Sequence, residues 1–307
     1  MVAVDVSVVT FRPDLDLLAR LLASIGEQTA GLDVGVLIQD NSPEAGAVDR
    51  IRALAPLASA AFSRVEVTRS PSNVGFGRGH NANAARGRAP FLFVLNQDCI
   101  LEPNVLAPLI TLARGDDARV AAWELRQIPY EHPKAYDPAT LDAPWVSGAA
   151  TLFRRAAFDA VGGFEPRIFM YGEDVDLSWR LRGRGWRLRY VPRLAVVHRT
   201  YREAAEVKPL QVLGGVATNL VLRARFGGKL RVNFGDHELG KLRLLGPRGG
   251  LRLRSWQRCR EELGLEPFWR LELGNYVLFN CVSTLVALPL FETDLLPAEQ
   301  PAWENLR

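Results

Sequence analysis

Apolar positions in the first hundred residues follow two rhythms that take turns. Val2 to Thr10 is a β-branched run broken only by Asp5 and Ser7, and after Arg12-Pro13-Asp14 the leucines between Leu15 and Glu27 recur at helical spacing. Val34 to Ile38 is a short apolar run ending in Gln39-Asp40-Asn41-Ser42, followed by an Ala-rich helical stretch from Ala47 to Ala60. Val65 to Thr68 and Phe91 to Leu95 repeat the short, unbroken pattern. Strand and helix therefore alternate, which predicts an α/β fold with a mostly parallel central sheet and helices on both faces. In open sheets of this kind ligands bind beyond the carboxyl ends of the strands. Thr10, Asp40, Asn73 and Asn96-Gln97-Asp98 all fall at or just past such ends.

The pattern changes at Phe169 to Arg189, where Glu173, Asp174 and Asp176 crowd together ahead of Trp179, Leu181 and a row of arginines. Three neighbouring acids repel one another, and the first turn of a helix, with its open N–H groups and positive dipole end, offsets that repulsion. On such a helix Leu177 and Leu181 share the apolar face and Asp176 pairs with Arg180 one turn on. Glu173 and Asp174 are left at a loop-to-helix corner beside Gly172, either as plain caps or facing a cleft. Asp40-Asn41-Ser42 has the same two readings, turn chemistry or hydrogen-bond acceptors. Asn73 to Asn83, NVGFGRGHNAN, brings glycines at 75, 77 and 79, which allow a sharp turn or close approach of a ligand. Its spacing is not that of a dinucleotide fingerprint.

Composition excludes more than it selects. With 307 residues, 48% hydrophobic and 23% charged, the chain reads as folded throughout rather than disordered on a large scale. Its 3 cysteines are odd in number and lack metal-type spacing, so they read as free thiols in a reducing compartment, by default the cytoplasm. The N-terminus carries an acid early and does not read as a signal peptide. The +4 net charge comes from a basic segment, Arg223 to Arg260, which lacks the aromatic interleaving of a nucleic-acid module. Tyr276 to Phe291 is uncharged until its end but interrupted by Asn280, Ser283 and Thr284, and is short of a bilayer span. It is expected as a packed helix, at a homodimer contact or, alternatively, docked shallowly on an anionic membrane.

Read in order, VTF, DNS, NVGFGRGHN, LNQD, SGA, VGGFE, YGEDVDLSWRL and VVH resemble the motifs of the family 2 glycosyltransferases of the GT-A fold, in particular their bacterial rhamnosyltransferase-like branch. The likeness covers roughly the first two-thirds of the chain. It implies a GT-A, Rossmann-like catalytic domain over residues 1–203 and a mainly helical C-terminal extension over 204–307. It further implies inverting transfer of a sugar, with rhamnose from dTDP-rhamnose the first expectation, to a surface-polysaccharide or lipid-linked glycan. A non-catalytic nucleotide-sugar or glycan-binding relative is the alternative, for which Asn96 in place of an aspartate is the argument. By the same resemblance Thr10, Asp40, Asn73, Gly75 and Asn96 hold the nucleotide. Asp98 and His198 hold a divalent metal, Mg2+ or Mn2+, that supports the departing diphosphate. Asp174 is the base for the acceptor hydroxyl and Glu173 orients hydroxyls. Trp145, Ser147 and Gly148 line the sugar or acceptor, tryptophan by stacking and the other two through backbone N–H groups.

Overall fold

The computed structural model describes residues 2–58, 61–131 and 136–199, the helical residues Thr218, Leu222, Arg225 and Phe226, and the later strand residues named below. The chain divides into two units, Met1–Glu165 with Glu173–Glu206, and Pro166–Gly172 with Val207–Arg307.

In the first unit, β1 (Val4–Thr10), β2 (Val34–Asp40), β3 (Arg64–Arg69), β4 (Phe91–Asn96), β5 (Cys99–Leu101), β6 (Val120–Ile128), β7 (Ala150–Arg154) and β8 (Arg187–His198) form one sheet in the order β3-β2-β1-β4-β7-β6-β8-β5. The pairs β3-β2, β2-β1, β1-β4 and β6-β8 are parallel, while β4-β7, β7-β6 and β8-β5 are antiparallel. The expected parallel half is thus extended by a mixed half, which brings β8 and its terminal His198 alongside β5 and β6.

Helices cover both faces, and β4 shows why. Phe91, Phe93 and Leu95 point into a core shared with α1 (Leu15–Gly26) and α4 (Leu106–Gly115), whereas Leu92 and Val94 point into a second core with Phe158 of α5 (Arg155–Ala160) and Leu177 and Leu181 of α6 (Glu173–Gly183). Side chains of a strand alternate between faces, so a strand apolar at every position needs a cover on each side. The start of α1 is set by Asp14, whose Oδ1 accepts from Asp16 N and Leu17 N at 3.0 and 3.1 Å. α2 (Ala47–Ala58) and α3 (Phe76–Arg86) complete the set.

The two polar residues that interrupt β1 are bound to specific partners. Asp5 pairs with Arg155 at 2.8 Å and accepts from Ala89 N at 2.7 Å, which ties β1 to α5 and to the approach to β4. Ser7 meets His80 Nδ1 at 2.7 Å and accepts from Asn83 Nδ2 at 2.9 Å, fastening α3 to the same strand.

In the second unit, β9 (Arg243–Leu244), β10 (Leu251–Leu253), β11 (Trp269–Leu273), β12 (Tyr276–Cys281) and β13 (Thr284–Pro289) form an antiparallel sheet in the order β11-β12-β13-β10-β9. This departs from the expected helical extension: the apolar stretch from Tyr276 is two strands, not one packed helix. Its composition explains the outcome, since Tyr276, Val277, Phe279, Val282, Thr284 and Val286 are β-branched or aromatic and favour a pleated sheet over a helix. Most of the basic segment lies outside the described residues. Among those that are described, no helix is long and apolar enough to cross a membrane.

Candidate active site

Thr10, Asp40 and Asn96 are the last residues of three adjacent parallel strands, so register alone gathers them at one end of the sheet: Thr10 opposes Asp40 and Val9 opposes Asn96. Asp40 is fully buried. Its Oδ1 accepts from Thr10 Oγ1 at 3.0 Å, Ser42 Oγ at 2.6 Å and Ser42 N at 3.1 Å, while its Oδ2 is buried with no hydrogen-bond partner among the described residues. One carboxylate oxygen is anchored and the other is available to a donor, which is the half-satisfied state of a binding group. Asn41 repeats this on a smaller scale, its Nδ2 donating to Gly75 O at 3.1 Å and its Oδ1 left over. Gly75 stands at the N-cap of α3 with φ 86°, a conformation that glycine adopts without strain. Asn73 shapes this loop, its Oδ1 accepting from Gly75 N at 3.0 Å.

A second group lies at the ends of β4 and β8. His198, 4% exposed, places Nε2 3.1 Å from Asn96 Nδ2 and 3.4 Å from Asp98 Oδ1, and Nδ1 2.8 Å from Gln127 Oε1. Asn96 Oδ1 is buried with no partner among the described residues. The Asp98 carboxylate and the His198 imidazole, with the Asn96 amide beside them, are a donor set that fits a hard divalent cation once the amide presents its oxygen. Cys99 lies within the same 4.8 Å group. Burial first, and the Asp98 charge second, push its thiol well up, so it stays protonated and points its S–H at Ala149 O 3.5 Å away. Between Asn96 and Asp98, Gln97 turns to the other side and pairs with Phe11 like a peptide group, accepting from its N–H at 2.9 Å and donating to its carbonyl at 3.2 Å.

The third component is the start of α6. Asp174 is half-buried; its Oδ2 accepts from Gly148 N at 3.0 Å and its Oδ1 from Val175 N at 2.8 Å. Glu173 is only 5% exposed, and its Cγ would sit 3.7 Å from a Cβ placed at Gly77. Asp176 is fully buried and bonded to Arg180 Nε at 2.7 Å, as the i,i+4 spacing implied. Arg180 also donates to Val161 O and Gly163 O, both at 2.7 Å, locking the VGGFE turn against the helix. The Gly148 N–H, expected to face sugar or phosphate, is instead taken by Asp174. Ser147 is also turned inward, its Oγ accepting from Ala149 N at 3.3 Å. Trp145 is half-buried. One short segment, Ser147 to Ala149, links two of the components: Gly148 N holds Asp174, and Ala149 O accepts from Asn96 N at 2.9 Å.

Gln127 belongs to β6, and no motif in the sequence marks its bond to His198. The available signal was a buried-type strand, VAAWELRQI, carrying Glu124 and Gln127 where apolar residues are the rule. The buried pair His80 and Asn83 was likewise hidden, because its partner Ser7 lies 73 residues away from His80.

The solved structures that resemble this one share its fold. A mannosyltransferase from Pyrobaculum calidifontis, in complex with GDP-Man and Mn2+, superposes with TM-score 0.55 at 15% identity over 74% of this chain and 65% of its own. GalNAc-T7 with UDP, GalNAc and Mn2+ gives 0.58 at 16% identity over 76% and 52%. Among characterised sequences, the N-acetylglucosaminyl-diphospho-decaprenol L-rhamnosyltransferase of Mycobacterium tuberculosis is 50% identical over 62 residues, 20% of each chain. The rhamnosyltransferase WbbL of Escherichia coli is 38% identical over 77 residues, 25% of this chain and 28% of its own. The matched segments therefore span between a fifth and a third of these relatives. The family described as Glycosyl transferase family 2 matches residues 5–162, just over half of the 307, and a second description, Glycosyltransferase like family 2, matches residues 135–210. A GT-A sheet carrying these segments in this order makes the chain a member of glycosyl transferase family 2.

Proposed function

We propose that the protein is an inverting glycosyltransferase that moves a sugar from a nucleoside diphosphate to a hydroxyl of a lipid-linked or surface-polysaccharide glycan, with dTDP-rhamnose the first donor to try. The observation that carries the reading is the pinned carboxylate of Asp174: two backbone N–H groups, from Gly148 and Val175, hold it in one orientation at the head of α6. Inverting transfer needs one base, aligned with an acceptor hydroxyl as that oxygen attacks the anomeric carbon and the bond to the diphosphate breaks. Asp174 takes the hydroxyl proton; Glu173 orients hydroxyls beside it. At the other end of the bond, Asn96 Oδ1, Asp98 and His198 Nε2 would hold Mn2+ or Mg2+, the imidazole favouring Mn2+. When bound, the ion supplies positive charge to the departing diphosphate. Asp40, through its open Oδ2, accepts from the nucleobase, and Thr10 and Ser42 fix that carboxylate.

The choice of rhamnose is supported by the names of both bacterial relatives and that of a polyprenyl-linked acceptor by the name of the Mycobacterium tuberculosis enzyme alone; such an acceptor would bring the protein to the inner face of the cell membrane. A transfer assay over a panel of nucleotide sugars with a polyprenyl-diphospho-N-acetylglucosamine acceptor tests it. Asp174→Asn is expected to lower turnover by at least ~100-fold, the usual scale of a lost general base, while nucleotide affinity measured by calorimetry stays within about twofold. Loss of binding together with turnover would make Asp174 a helix cap. No transfer or donor hydrolysis across the panel would favour a binding-only relative.

A further inference from the structure

Gln127 takes no part in the assignment above, yet it is the residue that decides which nitrogen His198 offers. The imidazole is 4% exposed and sits between two amides: Gln127 Oε1 lies 2.8 Å from Nδ1, and Asn96 Nδ2 lies 3.1 Å from Nε2. A neutral imidazole has one N–H and one lone pair, and an amide oxygen only accepts. The hydrogen must then be on Nδ1, and the lone pair on Nε2, where the Asn96 N–H2 donates to it. The other tautomer would set a lone pair against Gln127 Oε1 and an N–H against the N–H2 of Asn96. Asp98 Oδ1, an acceptor 3.4 Å from Nε2, pulls the other way and would by itself favour a hydrogen there. Gln127 opposes it from the Nδ1 side, as the Asn96 N–H2 does at Nε2. Its Oε1 approaches from β6, which runs parallel to β8 and pairs Gln127 with Val196, so sheet register delivers the amide to the far side of the ring.

We propose that Gln127 is a positioning residue: it holds His198 as the Nδ1–H tautomer, so that the Nε2 lone pair faces Asn96 and Asp98 and is ready for a divalent cation. The inference rests on the metal reading given above. The Asn96 amide donates to the atom that would ligate the ion. Its own oxygen, buried and with no partner among the described residues, becomes available when the amide turns. Orienting partners of this kind typically change metal affinity by ~10–100-fold when removed.

Two measurements test the proposal. Long-range 1H–15N spectra of histidine-labelled, metal-free protein report the tautomer directly, with the His198 signals identified by their loss in His198→Gln. The wild type is expected to show Nδ1 protonated and Nε2 bare. Gln127→Met, which keeps the length of the side chain and removes the acceptor, is expected to lose that pattern. Gln127→Glu, which keeps an acceptor oxygen, is expected to retain it. Mn2+ titration followed by electron paramagnetic resonance, with dTDP present, should then give a 10–100-fold weaker site in Gln127→Met and one within a few-fold of wild type in Gln127→Glu. Thermal melts and metal-free dTDP affinity of both variants check that the fold and the base pocket are intact. A wild-type His198 protonated on Nε2, which both amides reversed would produce, overturns the proposal, as does wild-type Mn2+ affinity in a folded Gln127→Met. Failure of the wild type to take up Mn2+ with dTDP present overturns the metal reading instead, and the spectra still decide the tautomer.

Discussion

At the scale of single residues, the informative atoms are buried polar ones with one valence satisfied and one open. Asp40 is the clearest, with Oδ1 anchored three ways and Oδ2 open. Asp40→Asn keeps the shape and offers either an N–H2 or a single amide oxygen where a carboxylate had served both sides. Affinity for a nucleoside diphosphate is expected to fall by at least tenfold in calorimetry, the scale of a lost charge-assisted hydrogen bond. His80 shows the same pattern in a titratable group, with Nδ1 bonded to Ser7 and Nε2 buried without a partner among the described residues, and its ring is kept neutral. Burial pushes its pKa down from 6.5 to about 3. The unfolded chain therefore takes up a proton below pH 6.5 that the folded protein refuses until about pH 3. Stability contributed by the neutral ring is complete above pH 6.5 and is lost as pH falls through that window, at up to ~1.4 kcal/mol per pH unit. Urea unfolding at pH 7 and pH 5 should show a smaller difference in His80→Gln than in the wild type. The places of single residues were legible in the sequence when a motif marked them, as with Asp40 and Asn96 at strand ends and Asp174 at the head of a helix. They were not when their meaning lay in a partner on a distant strand, as with Gln127 and His80, because no local periodicity records a contact 71 or 73 residues away.

At the scale of elements, α3 and α6 show how far local pattern reaches. The acids and leucines of α6 behave as their spacing implied: the Asp176–Arg180 pair forms and Leu177 and Leu181 are buried. The glycines of α3 reflect a different constraint, one of distance to a neighbour. A Cβ at Gly79 would lie 2.6 Å from Val9 Cγ2, so α3 runs closer to β1 than any other residue allows. Alanine normally helps a helix interior by ~1 kcal/mol over glycine, but overpacking against a strand costs ~1–3 kcal/mol. Gly79→Ala is expected to lower the melting temperature, whereas Gly183→Ala, where a Cβ would meet nothing within 4 Å, is expected to leave it unchanged or raise it. Differential scanning fluorimetry of the two variants side by side separates crowding from propensity. The C-terminal elements were misread for the converse reason. Length and hydropathy set one apolar helix against a membrane segment, and neither weighed the β-branched content that produced β12 and β13.

For the molecule as a whole, the parallel half of the sheet was legible because alternation of strand and helix dictates it. The order β4-β7-β6-β8-β5 was not, since these mixed parallel and antiparallel pairings are chosen by long-range packing rather than by any short repeat. That unreadable half brings His198 to Asp98, and it routes Ser147 to Ala149 between α6 and β4. Gly148→Ala would set a Cβ 3.0 Å from the Phe76 ring and is expected to displace this crossing. Transfer and metal-supported nucleotide affinity should then decline together in steady-state and binding measurements, whereas Asp174→Asn changes the first alone. Under the proposed assignment, two opposed duties, receiving a proton on one side and easing away a leaving group on the other, would hang from a single hinge pin two peptide bonds wide. A change in that segment would then shift the spacing of the two duties together, whereas a change in the surrounding pocket would leave it as it is.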